Sequence, residues 1–100
     1  MNSKLQTPEV DKLFEAILTL KNKDDCYKFF SDLCTIKELL AMAQRIEVAE
    51  MLVDKMTYLD IADKTGASTA TISRVNRSLT YGEDGYRIAF ERLGIMPGSD

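Results

Sequence analysis

The chain has 100 residues, the length of one domain, with 45% hydrophobic and 29% charged side chains, the balance of a folded globular protein. Its net charge of -3, from 13 basic and 16 acidic residues, excludes a surface coated in positive charge but leaves room for a local basic patch. Histidine is absent, which removes the commonest general base, the commonest metal ligand and every Ser-His or Cys-His pairing. Residues 1–7 are polar and hold no signal-peptide stretch, and no run nears the roughly 18–20 apolar residues of a membrane span. A soluble, cytoplasmic protein is expected.

Thr7-Pro8-Glu9 predicts a helix start: a hydroxyl cap, proline in the first turn, then an acid at the positive dipole end. Val10, Leu13, Phe14, Ile17 and Leu18 make one apolar face, and this helix should fade near Asn22. Asp24 is the predicted cap of a second, shorter helix with Cys26, Phe29, Phe30 and Leu33 on its apolar side. Thr35 and Glu38 have capping-box spacing and open the longest helix, about residues 36–54. Leu39, Met42, Ala43, Ile46, Ala49 and Val53 form its stripe. Leu40, Ala41, Val48, Met51 and Leu52 carry apolar surface onto its other faces, the pattern of a helix in the middle of an assembly. That pattern hints at a dimer.

Thr57 and Asp60 repeat the capping-box logic before a short helix that runs to about Lys64 or Thr65, where Gly66 stops it. Ser68 caps a helix over about residues 69–80 with Ile72, Val75 and Leu79 on its apolar side. Residues 81–85 read as a turn, and a last helix over about 84–93 carries Tyr86, Ala89, Phe90 and Leu93 before Gly94 ends it. The tail from Met96 to Asp100 is expected to be loose. No strand pattern appears, so the fold class is all-α with about six helices.

Residues 58–77 match a helix-turn-helix. Two short helices that cross closely need a small residue at the contact, which is Ala62. The turn needs a residue tolerant of positive φ, which is Gly66. The second helix needs β-branched residues facing back, which are Ile72 and Val75. One position departs: Thr65 stands where an apolar residue is usual. Ser68, Thr69, Ala70, Thr71, Ser73, Arg74, Arg77 and Ser78 are then left small, hydroxylic or basic. Small residues permit close approach to a major groove, hydroxyls bond bases or phosphates, and arginine binds phosphate or guanine. Residues 56–81 carry Lys64, Arg74 and Arg77 against Asp60 and Asp63, a net of +1, and the predicted recognition helix holds no acid. The alternative is two packed helices in some other α-protein, since short motifs give false positives.

Other residues are explained without a site. Cys26 and Cys34 read as buried or free thiols rather than a redox pair, because nothing in the neighbouring sequence points to an activated thiol. Asp24 and Asp25 read as a helix cap and a dipole-favoured acid rather than a metal site. The five methionines read as core and dimer filler rather than a binding groove. For Tyr81, Tyr86 and Phe90 the alternatives are an exposed aromatic patch and packing of the last helix against the dimer core, and the second is expected. No metal site and no cofactor is predicted.

The run Ala70-Thr71-Ile72-Ser73-Arg74, followed by Ser78-Leu79, resembles the Trp repressor family. The resemblance covers about residues 35–81, is weak over the first 30, and is greatest to the short Trp-repressor-related proteins of Gram-positive bacteria. It implies an intertwined all-helical homodimer, with residues 1–55 for dimerisation, 56–81 as the helix-turn-helix head and 82–100 as a C-terminal helix and tail, within one domain. It further implies two heads that read a near-palindromic operator at successive major grooves, about 34 Å apart. In that family a tryptophan corepressor sits between the central and recognition helices. Arg74 matches the arginine that meets its carboxylate, and Ser78 the serine near its amino group. The partner arginine falls on Gln44 and the threonine near the carboxylate on Cys34. These departures argue against tryptophan and for another small molecule or none, which frees Arg74 for phosphate. The family's basic DNA contacts on the first helix of the motif fall on Leu59 and Ala62, so a different operator is implied.

Sequence-specific DNA binding by residues 68–71, 73, 74 and 77 is therefore the leading expectation, as a dimeric regulator, a repressor in direction, on double-stranded DNA. The alternative is a protein-interaction module that keeps the fold and has lost DNA binding. Without histidine, a glycine-rich phosphate loop or clustered metal ligands, an enzyme is not expected.

Overall fold

A computed structural model describes residues 3–96 of the chain. Its six helices are α1 Pro8–Ile17, α2 Lys23–Leu33, α3 Ile36–Val53, α4 Tyr58–Thr65, α5 Thr69–Tyr81 and α6 Gly85–Leu93. Among the described residues there is no strand. Residues Pro97 to Asp100 of the expected loose tail lie outside the described residues. Among the described residues no helix is long and apolar enough to cross a membrane. The chain divides into two compact units, Met1–Leu39 and Leu40–Asp100.

In the first unit the caps set the boundaries. Thr7 Oγ1 accepts from the Val10 amide at 3.2 Å and starts α1 at Pro8. The helix stops at Ile17, short of the expected Asn22. There the amides of Thr19 and Leu20 turn to carbonyls three residues back, and the Thr19 hydroxyl donates to the Ala16 carbonyl at 2.6 Å. Competition from a hydroxyl for a helical carbonyl is a known reason for a helix to end. Asn22, with extended backbone, is then the cap of α2: its Oδ1 accepts from the Asp25 amide at 2.8 Å. Asp24 is not the cap; it lies in the first turn, 3.1 Å from Lys28. Thr35 and Glu38 close the capping box in both directions, at 2.9 and 3.1 Å.

Among the described residues of the first unit, none is fully buried. Phe14, Leu18, Tyr27, Leu33 and Ile36 are all exposed. Phe29 and Phe30 make an edge-to-face pair with ring centroids 5.3 Å apart.

The second unit holds the core. Val48 and Ala49 of α3, Ile61 of α4, Ala67 of the turn, Ile72 and Val75 of α5 and Phe90 of α6 are buried together, with Met51, Leu52, Leu79 and Tyr86 packed against them. On α3 the face of Val48, Ala49 and Leu52 turns inward. The expected stripe is only partly used, because Met42 and Ile46 remain exposed. The chain leaves α3 through Lys55, whose φ is 61°. The amides of Lys55 and Met56 donate to the carbonyls of Leu52 and Met51, the pair of hydrogen bonds that closes many helix C-termini.

Candidate nucleic-acid interface

The motif formed by α4 and α5 is fixed by its caps and its turn. Thr57 Oγ1 accepts from the Asp60 amide and Ser68 Oγ from the Thr71 amide, at 3.2 and 3.1 Å. Gly66 ends α4 with φ 73°, in the left-handed region that glycine enters without strain. Ala62 and Ala67 keep the two helices close, and Ile72 and Val75 face back into the core, as their spacing predicts.

Thr65, the departure from the usual pattern, is half-buried and fully used. Its hydroxyl donates to the Ile61 carbonyl at 2.7 Å and accepts from the Ala67 amide at 3.1 Å. An apolar residue there would pack; the threonine instead ties the turn to the end of α4. Gln44 of α3 completes the arrangement, donating through Nε2 to the Thr65 carbonyl at 3.1 Å. That carbonyl is one of the acceptors a helix C-terminus leaves open.

The outward face of α5 carries the remaining site residues. Ala70, Ser73, Arg74 and Arg77 line a shallow hollow of about 340 Å³. Thr69 is exposed beside them and Thr71 is half-buried. Ser68 is exposed but engaged: its hydroxyl also donates to Thr71 Oγ1 at 3.1 Å, so its proton and one lone pair serve the cap. Among the described residues, neither Arg74 nor Arg77 makes an ion pair. With helical spacing, residues 70, 73, 74 and 77 fall opposite Ile72, Val75 and Leu79. The result is an outward strip of small side chains and two uncompensated guanidinium groups.

The four residues of the implied effector pocket have separate surroundings. Cys34 is the half-buried C-cap of α2 in the first unit. Gln44, Arg74 and Ser78 belong to the second. There Gln44 is bonded to the α4 terminus, Arg74 lines the outward hollow, and Ser78 lines a different hollow of about 490 Å³ with Ile46, Gly82, Tyr86 and Ala89. Both cysteines are free thiols. Among the described residues no three His, Cys, Asp or Glu side chains converge on a metal position.

The sequence profile of the Trp repressor protein matches residues 8–94, nearly the whole described chain. The chain belongs to the Trp repressor family. The uncharacterized protein YerC of Bacillus subtilis is 56% identical over 90 residues, which are 90% of this chain and 86% of that one. The crystal structure of a TrpR-like protein from Eubacterium eligens is 63% identical, covers 97% of this chain and 100% of its own, and superposes with a TM-score of 0.91. A candidate Trp repressor from Staphylococcus aureus, 47% identical, covers 98% of this chain and 99% of its own with the same TM-score of 0.91. The Trp repressor family is a regulatory, DNA-binding one rather than an enzymatic one, and membership points to a DNA-binding transcription regulator.

Sequence reasoning missed three things here. The bond from Gln44 to Thr65 joins residues 21 apart, which no local pattern announces. The double role of Thr65 was legible only as an oddity in the motif. Within α6 the Tyr86 ring centroid lies 6.0 Å from that of Phe90, whereas Tyr81, placed with both in the expected packing of the last helix against the dimer core, stands 84% exposed in the single chain. Its spacing of four from Arg77 was the available signal.

Proposed function

We propose that the chain is a homodimeric, sequence-specific transcription regulator of the cytoplasm, a repressor that reads a near-palindromic operator through α5. The observation that carries this reading is the outward strip of α5. Thr69, Ala70 and Ser73 are small enough for close approach to base edges, and Arg74 and Arg77 are free to meet phosphate or guanine. No acid interrupts the helix. The opposite face is locked into the core by Ile72 and Val75, so the strip is presented by a rigid element.

The first unit supports the dimer. Among its described residues no side chain is fully buried, and Leu18 and Ile36 stand 84% and 80% exposed. Burying each such side chain contributes about 1.5–3 kcal/mol. A second copy that covers residues 1–55 supplies that burial, leaving residues 56–81 as the projecting head and 82–100 as the closing helix and tail. Two heads related by a two-fold axis then meet two half-sites about one helical turn apart. Gln44 is spent on the turn and Arg74 faces outward, which supports DNA rather than tryptophan as the partner of Arg74. Any small-molecule effector of Cys34, Gln44, Arg74 and Ser78 is then not the corepressor of the Trp repressor itself.

Selection of fragments of the source genome by the purified protein, without added ligand and at low salt, tests the reading. Recovery of a few near-palindromic sites is the expected result. Thr69→Val should then change the base preference, and Arg77→Ala should weaken binding to all sequences alike. The second reading, an interaction module without DNA binding, is favoured by Leu59, which is 74% exposed where the resemblance implies a basic DNA contact. A purified dimer that retains no DNA at low salt would select it.

A further inference from the structure

The strip on α5 does not end at Arg77. Tyr81, the last residue of the helix, follows Arg77 by four and Arg74 by seven. At 3.6 residues per turn it falls about 40° from Arg77 and about 20° from Arg74, on the side opposite Ile72 and Leu79. Its side chain is 84% exposed, and the aromatic packing of α6 is already provided by Tyr86 and Phe90. The ring therefore has no part in the core of the second unit. No aspartate or glutamate occurs between Asp63 and Glu83, so Arg74, Arg77 and Tyr81 share an acid-free surface. Beyond it the acids resume, and Asp84 lies 3.8 Å from Arg87.

The dimensions bear on what this surface meets. Eleven residues separate Ala70 from Tyr81, which is about 16 Å along a helix axis. A major groove is about 12 Å wide. A helix that puts Ala70 and Ser73 near base edges carries its C-terminal end to the groove's rim, where the phosphates are. Tyrosine is a neutral donor at that point, suited to an oxygen of the backbone.

We propose that Tyr81 is a further DNA-contacting residue, whose phenol donates a hydrogen bond to a backbone phosphate at the rim of the groove that α5 enters. This rests on the DNA reading of α5 and adds to it a contact that carries no charge. That property gives it a signature. A lost cation reduces the number of counterions released and flattens the salt dependence of binding; a lost neutral hydrogen bond lowers affinity and leaves the slope alone.

The test uses the full chain and a labelled mixed-sequence duplex of more than two helical turns, titrated over a series of salt concentrations starting low. Backbone contacts are sequence-independent, so no operator is required. Tyr81→Phe should weaken binding roughly three- to tenfold at every salt with the slope unchanged. Arg77→Ala should reduce the slope by about one. Tyr81→Arg should recover affinity and raise the slope by about one, which guards against a fold defect in the first variant. Tyr81→Phe that binds like wild type overturns the proposal and leaves the DNA reading intact, as does a loss of affinity accompanied by a change in oligomeric mass. A wild-type chain that binds no duplex at low salt overturns both.

Discussion

Thr65 and Gln44 show how single polar atoms hold a small motif. The turn between α4 and α5 has few side chains to pack, and Ala67 is its only buried residue. Its rigidity comes from the Thr65 hydroxyl, which spans Ile61 and Ala67, and from Gln44, which reaches the same residue's carbonyl. Gln44→Ala should cost about 1 kcal/mol, the net worth of one such bond, and Thr65→Val about 1–2 kcal/mol because it leaves the Ala67 amide unpaired. Chemical denaturation at neutral pH measures both, and the Thr65→Val effect should exceed that of Thr65→Ser, which keeps the hydroxyl. At the start of α3 the Thr35 amide, and then its hydroxyl, hold the Glu38 carboxyl below its ordinary pKa of 4.5. A depressed carboxyl stabilises the fold at pH values above its unfolded pKa and loses that contribution as pH falls through its folded one. The contribution of this cap is therefore complete at neutral pH and disappears only in acid, below pH 4.5. Glu38→Gln keeps the reach of the side chain and should remove this acid-sensitive part, while a carboxyl titration followed by NMR should place wild-type Glu38 below an ordinary glutamate.

At the scale of elements, caps decide where helices begin and end, and most of them could be read in advance. Thr7, Thr35, Thr57 and Ser68 each precede their helix with the hydroxyl that the first free amides require. The α1–α2 junction was less legible, because Asn22 and Asp24 are both competent caps and the choice falls to the residue with extended backbone, which is Asn22. The exit of α3 was not legible at all: a lysine occupies the left-handed position where glycine is common. Lys55→Gly should accordingly stabilise the chain by about 1 kcal/mol, the cost a side chain incurs there. Gly66→Ala should lose a similar amount, about 1 kcal/mol, through backbone strain alone, since an added Cβ at φ 73° meets nothing within 4 Å. Gly82→Ala should be worse than either, because its Cβ would overlap the Ser78 carbonyl oxygen at the end of α5. Thermal melts of the three variants should order them as Lys55→Gly above wild type, then Gly66→Ala, then Gly82→Ala.

For the whole molecule, the two units pose different energetic problems. The second closes a core around Phe90, Ile61, Ile72 and Val48; Ile72 and Phe90 lie on the apolar faces that helical spacing marks, whereas Val48 lies off the expected stripe of α3 and Ile61 belongs to no face read from the sequence. The first has amphipathic helices whose apolar faces were equally legible, yet among its described residues no side chain is fully buried. A spacing rule says which residues seek cover; it does not say what covers them, because that depends on surface outside the pattern. A second copy is the proposed cover, and one substitution separates the possibilities. Leu18 is 84% exposed in the single chain, so in a monomer Leu18→Glu replaces one solvated side chain with another and should change stability by less than about 0.5 kcal/mol. In a dimer that buries this face the same change places a carboxylate against apolar surface, at a cost of several kcal/mol. The expected results are a wild-type mass of two chains, a Tm that rises with protein concentration because association favours the folded state, and a Leu18→Glu variant that loses both properties. Light scattering and thermal melts at two concentrations measure them. A wild-type mass of one chain, with Leu18→Glu as stable as its parent, would remove the dimer and with it the paired heads on which reading of a near-palindromic operator depends.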